Sequence, residues 1–313
     1  MGGEVSEGEF RRPATVMVTG AGGNLGGKAV EALAAAPWCR RIIGLTHGAE
    51  APSFSETARP KVHLVRADLS RREGAWEEAM AECDAVLHAA AFRPVPEASW
   101  QEAAISFDMV QLVGLAALRL GVRRLVFLSS NHVMGRYKDA PLRDQIRPGT
   151  LTADLPPAPG TCWWNGTTHL DATPYAAAKL MGERAVAAFA RESAGALTTV
   201  SIRIGWAQAG ENLPDTISIA GSPEGAAMPP RTEEDRRTLA WFRAMWLSNH
   251  DFARLMRVSL SADPAHWPGP AILVNGMSRN QDMGWSLTEA ETWLDYAPED
   301  DCAAAPGAAG QDV

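Results

Sequence analysis

The sequence predicts an α/β protein, a doubly wound parallel sheet joined to a smaller C-terminal region. Three observations predict it. Short apolar runs rich in β-branched residues recur along the chain, most of them followed by a helical segment. A glycine cluster, Gly20-Ala21-Gly22-Gly23-Asn24-Leu25-Gly26, directly follows the first run and opens the first helix. The residues with chemical potential fall at the C-terminal ends of the runs, where open α/β sheets bind ligands.

Taken in order, Ala14 to Thr19 reads as a buried parallel strand, and Leu25 to Ala35 as an amphipathic helix ended by Pro37. Strands follow at Ile42–Thr46 and Val62–Arg66, the latter running into Ala67-Asp68-Leu69. Arg72 to Ala81 is helical, Ala85 to Ala89 is a fourth strand, and a long helix covers Glu97 to Leu120. Arg124 to Leu128 forms the fifth strand, ending in Ser129-Ser130-Asn131-His132. Val133 to Asp171 reads as a proline-dense loop with Trp163-Trp164 in its middle, a pair suited to stacking on a sugar ring or to an oligomer contact. A helix over Ala172–Ser193 and a strand over Thr198–Ile204 complete a dinucleotide-binding unit over 14–204. A substrate-binding region over 205–296 follows: a polar connection from Glu211 to Glu234, a Trp- and Arg-rich segment over Arg236–Trp246, a helix at Asp251–Leu260, a strand at Ala271–Val274 returning to the core, and a helix at Leu287–Tyr296. The acidic, Ala/Gly-rich stretch over 297–313 reads as a flexible tail.

With 313 residues, 46% hydrophobic and 21% charged, the chain is long enough to bury a large core. A net charge of -8 argues against a nucleic-acid surface and gives no reason to expect an anionic membrane partner. No apolar run reaches the ~20 residues of a membrane span. Cys39, Cys83, Cys162 and Cys302 lack metal-like or redox-pair spacing, which points to a reducing, cytoplasmic setting and no metal. The myristoylation letters at Met1–Ser6 and the sequon Asn165-Gly166-Thr167 carry no supporting signal.

Thr173-Pro174-Tyr175-Ala176-Ala177-Ala178-Lys179 places Tyr175 and Lys179 one turn apart on a helix face. An ammonium there stabilises a phenolate and draws the tyrosine pKa down, making a proton-transfer group for alcohol and carbonyl chemistry. The glycine cluster, between strand and helix, lets the backbone approach a pyrophosphate at a helix N-terminus.

Together these motifs resemble the extended short-chain dehydrogenases/reductases, the epimerase/dehydratase-like group with a Rossmann-type fold, over about Ala14 to Tyr296. The resemblance implies that Gly20, Gly23, Asn24, Leu25 and Gly26 form the cofactor loop and that Asp68 and Leu69 hold the adenine end. Ala89, Ala90 and Ala91 would flank the cofactor, and Ser130, Tyr175 and Lys179 would be the catalytic set, with Glu183 behind them. Ser129-Ser130-Asn131-His132, Arg203-Ile204-Gly205 and Trp246-Leu247-Ser248 are more closely similar to uronate dehydrogenases. That similarity implies an acidic sugar held by Ser130, Asn131 and His132, with Arg237 or Arg243 pairing its carboxylate. His132 also reads as a structural histidine, and either arginine as a surface residue. The implied reaction is oxidation of the anomeric hydroxyl to a lactone, with Tyr175 as base.

Two departures mark a reshaped pocket. Phe92-Arg93-Pro94 and Trp206 stand where uronate dehydrogenases have substrate-contacting serines, so Arg93 and Trp206 become substrate-site candidates. The relay asparagine of the long helix is missing, leaving Ser106 or Gln111 nearest. Strand two ends in Thr46-His47 with no acid for a ribose 2′-hydroxyl, so NAD is favoured by resemblance while NADP stays open. A homo-oligomer is the expected assembly. The rival readings are a nucleotide-sugar epimerase or dehydratase, which recycles its hydride, and a cofactor-sensing regulator without catalysis.

Overall fold

The computed structural model describes residues 10–48, 50–71, 74–220 and 229–304. Seven parallel strands form one sheet, β1 (Thr15–Thr19), β2 (Arg41–Thr46), β3 (Val62–Arg66), β4 (Ala85–His88), β5 (Arg124–Leu128), β8 (Thr198–Ile204) and β9 (Ala271–Gly276), in the spatial order β3-β2-β1-β4-β5-β8-β9. The chain works outward from β1 through β2 to β3, then returns to β4 on the other side of β1. The crevice at that reversal is where a doubly wound sheet receives its ligand.

Helices cover both faces because the strands are apolar on both. Val16 and Val18 point to α1 (Asn24–Ala34) and α6 (Asn249–Ser261), in a core that also holds Leu33, Phe252 and Leu255. Met17, Ile43 and Phe127 point the other way, to α2 (Ala75–Met80), α3 (Trp100–Arg119) and α4 (Thr173–Glu192). The start of α3 is fixed by a capping box. Glu102 N donates to Ser99 Oγ at 3.2 Å, and Ser99 N donates to the Glu102 carboxylate at 2.8 Å. Gly182 lets α4 lie close on the sheet, since a Cβ there would sit 2.7 Å from the Phe127 ring. That close approach brings Lys179, one turn earlier, to the tip of β5.

A satellite core joins the loop after β5 to the C-terminal region through Met134, Trp163, Phe242, Trp246, Met277 and Trp285. Its helix is α5 (Glu233–Ala244), which is the Trp- and Arg-rich segment, while α7 (Thr288–Leu294) packs Ala290 and Leu294 into the core of α1 and α6. The expected loop over Val133–Asp171 has more structure than its sequence suggests. A 3-10 helix spans Asn131–Lys138, and β6 (Cys162–Trp164) pairs antiparallel with β7 (His169–Asp171). The expected flexible tail is corrected up to Ala304, because Glu299 N and Asp300 N donate to the buried Asp251 carboxylate at 2.9 and 3.0 Å. Cys302 is likewise buried, its N–H bonded to Asn280 Oδ1. Residues 305–313, Arg72 and Glu73 of the second expected helix, residues 221–228 of the expected polar connection and the letters at Met1–Ser6 lie outside the described residues. Among the described residues no helix is long and apolar enough to cross a membrane.

Candidate active site

A cleft of about 900 Å³ opens along the C-terminal ends of β1, β2, β4, β5 and β8. Its first half is a backbone cradle. Gly20 takes a left-handed φ of +69°, and a Cβ there would crowd Ala90 Cα at 3.0 Å. Gly26 is tighter, since its Cβ would fall 2.0 Å from Gly20 O. Under the loop, buried Thr19 Oγ1 accepts the N–H groups of Ala89 and Ala90 at 3.1 Å and bonds His88 Nδ1 at 2.8 Å. Thr19 thus ties the glycine loop to the tip of β4, a role that no sequence motif announced.

The N-terminus of α1, with Asn24 and Leu25, faces the cleft and leaves N–H groups for an anion. Thr46, His47, Asp68, Leu69, Ala89, Ala90 and Ala91 line the same half. Asp68 Oδ1 accepts from Ser70 N at 3.0 Å and Ser70 Oγ at 2.7 Å, and these bonds hold its carboxyl below the usual range. Glycines that no larger residue could replace, a helix N-terminus and an acidic rim suit a dinucleotide.

The second half holds the reactive groups. Ser130 at the end of β5, and Tyr175 and Lys179 on α4, all line it. The Tyr175 hydroxyl shares a hydrogen bond with Ser130. Lys179 Nζ donates to Leu128 O at 2.7 Å and lies 5.7 Å from the Tyr175 ring centroid. The expectation that the tyrosine pKa is drawn down is corrected. Burial pushes the Tyr175 hydroxyl up to about 12, outweighing the Ser130 bond, although the ring keeps part of its surface toward the cleft. Burial also pulls the Lys179 ammonium down to about 8, against the pull of Glu183.

His132 is held from behind. Its Nδ1 bonds Thr161 Oγ1 at 2.7 Å, and its ring stacks on Trp163 at 5.9 Å and meets Tyr175 edge-on at 6.0 Å. Burial pulls the imidazole down to about 4 and that of His88 to about 3. Both rings are therefore neutral at pH 7. Asn131 Nδ2 donates to Ile204 O at 3.0 Å, while its Oδ1 is buried without a partner among the described residues. These values predict a pH profile: if Tyr175 is the base, kcat/KM for oxidation rises from pH 6 and bends near 8, where Lys179 loses its charge, with no histidine step between 5 and 7. Initial rates across pH 5–10 check this, and a step at 6–7 would contradict the buried state of His132.

The remaining candidates divide. Arg93 and Trp206 line the cleft; Arg237 and Arg243 do not. Arg93 sits at a left-handed φ of 46° with its guanidinium on Glu102 at 3.0 Å. Arg237 points instead to Asp139, with Nε 2.9 Å from its carboxylate. Trp163 is buried behind His132 and Trp164 is turned outward against His169, so neither tryptophan lines the cleft. Ser106 holds the backbone of Phe92 at both N and O, at 3.0 and 3.1 Å, and Gln111 bonds Asp108. Ala207 and Gln208, which the sequence did not single out, complete the wall beside Trp206.

The model of the NAD dependent epimerase/dehydratase family matches residues 16–207, more than half of the chain. The protein belongs to that family. Within it, the chain is 31% identical to an L-arabinose 1-dehydrogenase (NAD(P)(+)) of Haloferax volcanii over 298 residues, covering 93% of this chain and 98% of the relative. It is 29% identical to a uronate dehydrogenase of Pseudomonas syringae pv. tomato, covering 84% of this chain and 83% of the relative. Among solved structures, a mutated uronate dehydrogenase superposes with a TM-score of 0.64 at 20% identity, covering 93% of this chain and 83% of that one. MoeE5 in complex with UDP-glucose and NAD gives 0.61 at 18% identity, covering 91% and 94%. At such identities these structures speak for the fold alone.

Proposed function

We propose that this family member is an NAD(P)-dependent sugar dehydrogenase that oxidises the anomeric C1 hydroxyl of an aldose to a lactone. The observation that carries the reading is the meeting of Ser130, Tyr175 and Lys179 beside a glycine cradle in one cleft. The two curated relatives, both named as sugar dehydrogenases, support it. When bound, the nicotinamide supplies the hydride acceptor. Ser130 holds the reacting oxygen, and Tyr175 as phenolate takes its proton. Lys179, whose charge lies on the Tyr175 side of α4, favours that phenolate. Asn131 and His132, which line the cleft beside Ser130, would orient the sugar ring. Thr46 and His47 line the cleft at the tip of β2, where no acid selects NAD over NADP.

An acidic sugar needs a cation in the wall, and with Arg237 and Arg243 elsewhere the arginine the cleft offers is Arg93. That guanidinium is already paired with Glu102 at 3.0 Å, and it is more than half exposed. Burying a carboxylate without a free partner is costly, so the geometry favours an uncharged aldose ahead of a uronate. Residues 205–296 belong to the substrate side of this reading. Four free thiols fit a reducing cytoplasm. Exposed Trp100, Leu115 and Met181 on α3 and α4 fit a homo-oligomer. The test is reduced-cofactor formation with neutral aldoses and with uronates, under NAD and under NADP. Turnover of aldoses at least tenfold above uronates is expected; a preference for uronates would restore the acidic substrate, and no turnover of either would end the reading.

A further inference from the structure

The main chain that carries Trp206 and Gln208 is fastened to the cofactor helix by two side chains on one face of α1. Asn24 Nδ2 donates to Ala207 O at 2.9 Å. One turn later, Lys28 Nζ donates to Gln208 O at 2.5 Å and to Asn249 Oδ1 at 2.5 Å. Asn249, the first residue of α6, passes the connection on through Nδ2 to Gly210 O and Glu211 O at 2.9 and 3.2 Å. The segment closes on itself through Asn212, whose Oδ1 accepts Gln208 N at 2.9 Å and whose Nδ2 reaches Leu247 O at 2.6 Å. It doubles back only because Gly210 and Asn212 both adopt left-handed φ, +64° and +55°. Without Asn24 and Lys28, the hold on residues 207–211 from the cofactor side would be lost.

Lys28 does not line the cleft, whereas Trp206, Ala207 and Gln208 do. The ammonium is half-buried between α1, α6 and this segment, and it is committed to two acceptors. Charge-assisted bonds of this kind are stronger than neutral ones. The same helix offers its N-terminus to the cofactor's pyrophosphate in the reading above.

Resting on that reading for its kinetic consequence, we propose that Lys28, with Asn24, is a positioning residue for the sugar. It sets the Trp206–Gln208 wall at a fixed spacing from the cofactor seat, so that the sugar's bound position is referred to the cofactor rather than to a free loop. Loss of the clamp frees the wall and weakens sugar binding while leaving the cradle intact.

The test compares wild type with Lys28→Met and Lys28→Arg by amide hydrogen exchange in the presence of NAD, and by steady-state kinetics. In Lys28→Met, exchange over residues 206–212 is expected to quicken about tenfold with the glycine loop unchanged. The sugar KM rises roughly five- to tenfold, with kcat and the NAD Kd within twofold. Lys28→Arg keeps the charge-assisted donors and returns both readouts toward wild type. Unchanged exchange over 206–212 in Lys28→Met overturns the clamp, whatever the substrate. A parallel rise in NAD Kd with faster exchange throughout α1 also overturns it, since Lys28 would then be holding the fold generally. If no aldose is turned over by wild type, the functional reading falls and the exchange measurement alone decides the clamp.

Discussion

Tyr175→Phe is expected to lower the turnover of sugar oxidation by about 10³-fold while leaving cofactor affinity within twofold, because a positioned acid–base group contributes typically 10²–10⁴. The substitution removes a single oxygen. The phenyl ring keeps its edge contact with His132 at 6.0 Å, and Lys179 keeps its bond to Leu128 O at 2.7 Å, so the cleft retains its shape. What is lost is the hydroxyl that bonds Ser130 and receives the substrate proton. Cofactor titration followed by fluorescence, beside initial rates, separates the two effects. Retention of more than a tenth of the wild-type rate would remove Tyr175 from the proton-transfer role.

Glu183→Gln is expected to destabilise the fold by about 3–5 kcal/mol, since it breaks a buried ion pair from one side only. The Glu183 carboxylate accepts Arg203 Nε and Nη2, both at 3.0 Å, and Ser129 Oγ at 2.6 Å. Both partners are buried, and Arg203 Nη1 donates to Ala153 O at 3.0 Å. Glutamine preserves the shape but leaves the guanidinium buried without a counter-charge. Urea denaturation measures the loss. The double variant Glu183→Leu/Arg203→Met should recover much of it, because an apolar pair of similar volume avoids the uncompensated charge. Equal midpoints for wild type and Glu183→Gln would show that water reaches Arg203.

The inner parallel strands were legible because they are apolar runs buried on both faces, with a helix or a turn signal after them; the edge strand β3 is only partly buried. The gathering of Gly20, Gly26, Asp68, Ser130 and Tyr175 in one cleft was legible for a related reason: a parallel sheet places all its strand ends on the same side. Other features depend on contacts that no local pattern carries. Arg237 bonds Asp139, nearly a hundred residues earlier, and nothing along α5 says which way its arginines turn. The hairpin of β6 and β7 has three-residue strands, too short for a period, and its turn is organised by Asn165 Oδ1, which accepts Thr167 N and Thr168 N. Strand alternation then sends Trp163 into the core and Trp164 outward. The one-turn spacing of Tyr175 and Lys179 was readable, but the direction of the tyrosine pKa was not. Burial is a tertiary property, and here it outweighs the bond that lowers the pKa.

The chemistry itself is tested most directly by an aldose deuterated at C1 and incubated with the protein and oxidised cofactor. One deuterium should appear in the reduced nicotinamide for each lactone or aldonate formed, and the sugar should not return to solution as an epimer. Deuterium retained in the sugar, with an epimer accumulating and no net reduced cofactor, would contradict C1 oxidation and place the protein among the members of its family that recycle their hydride.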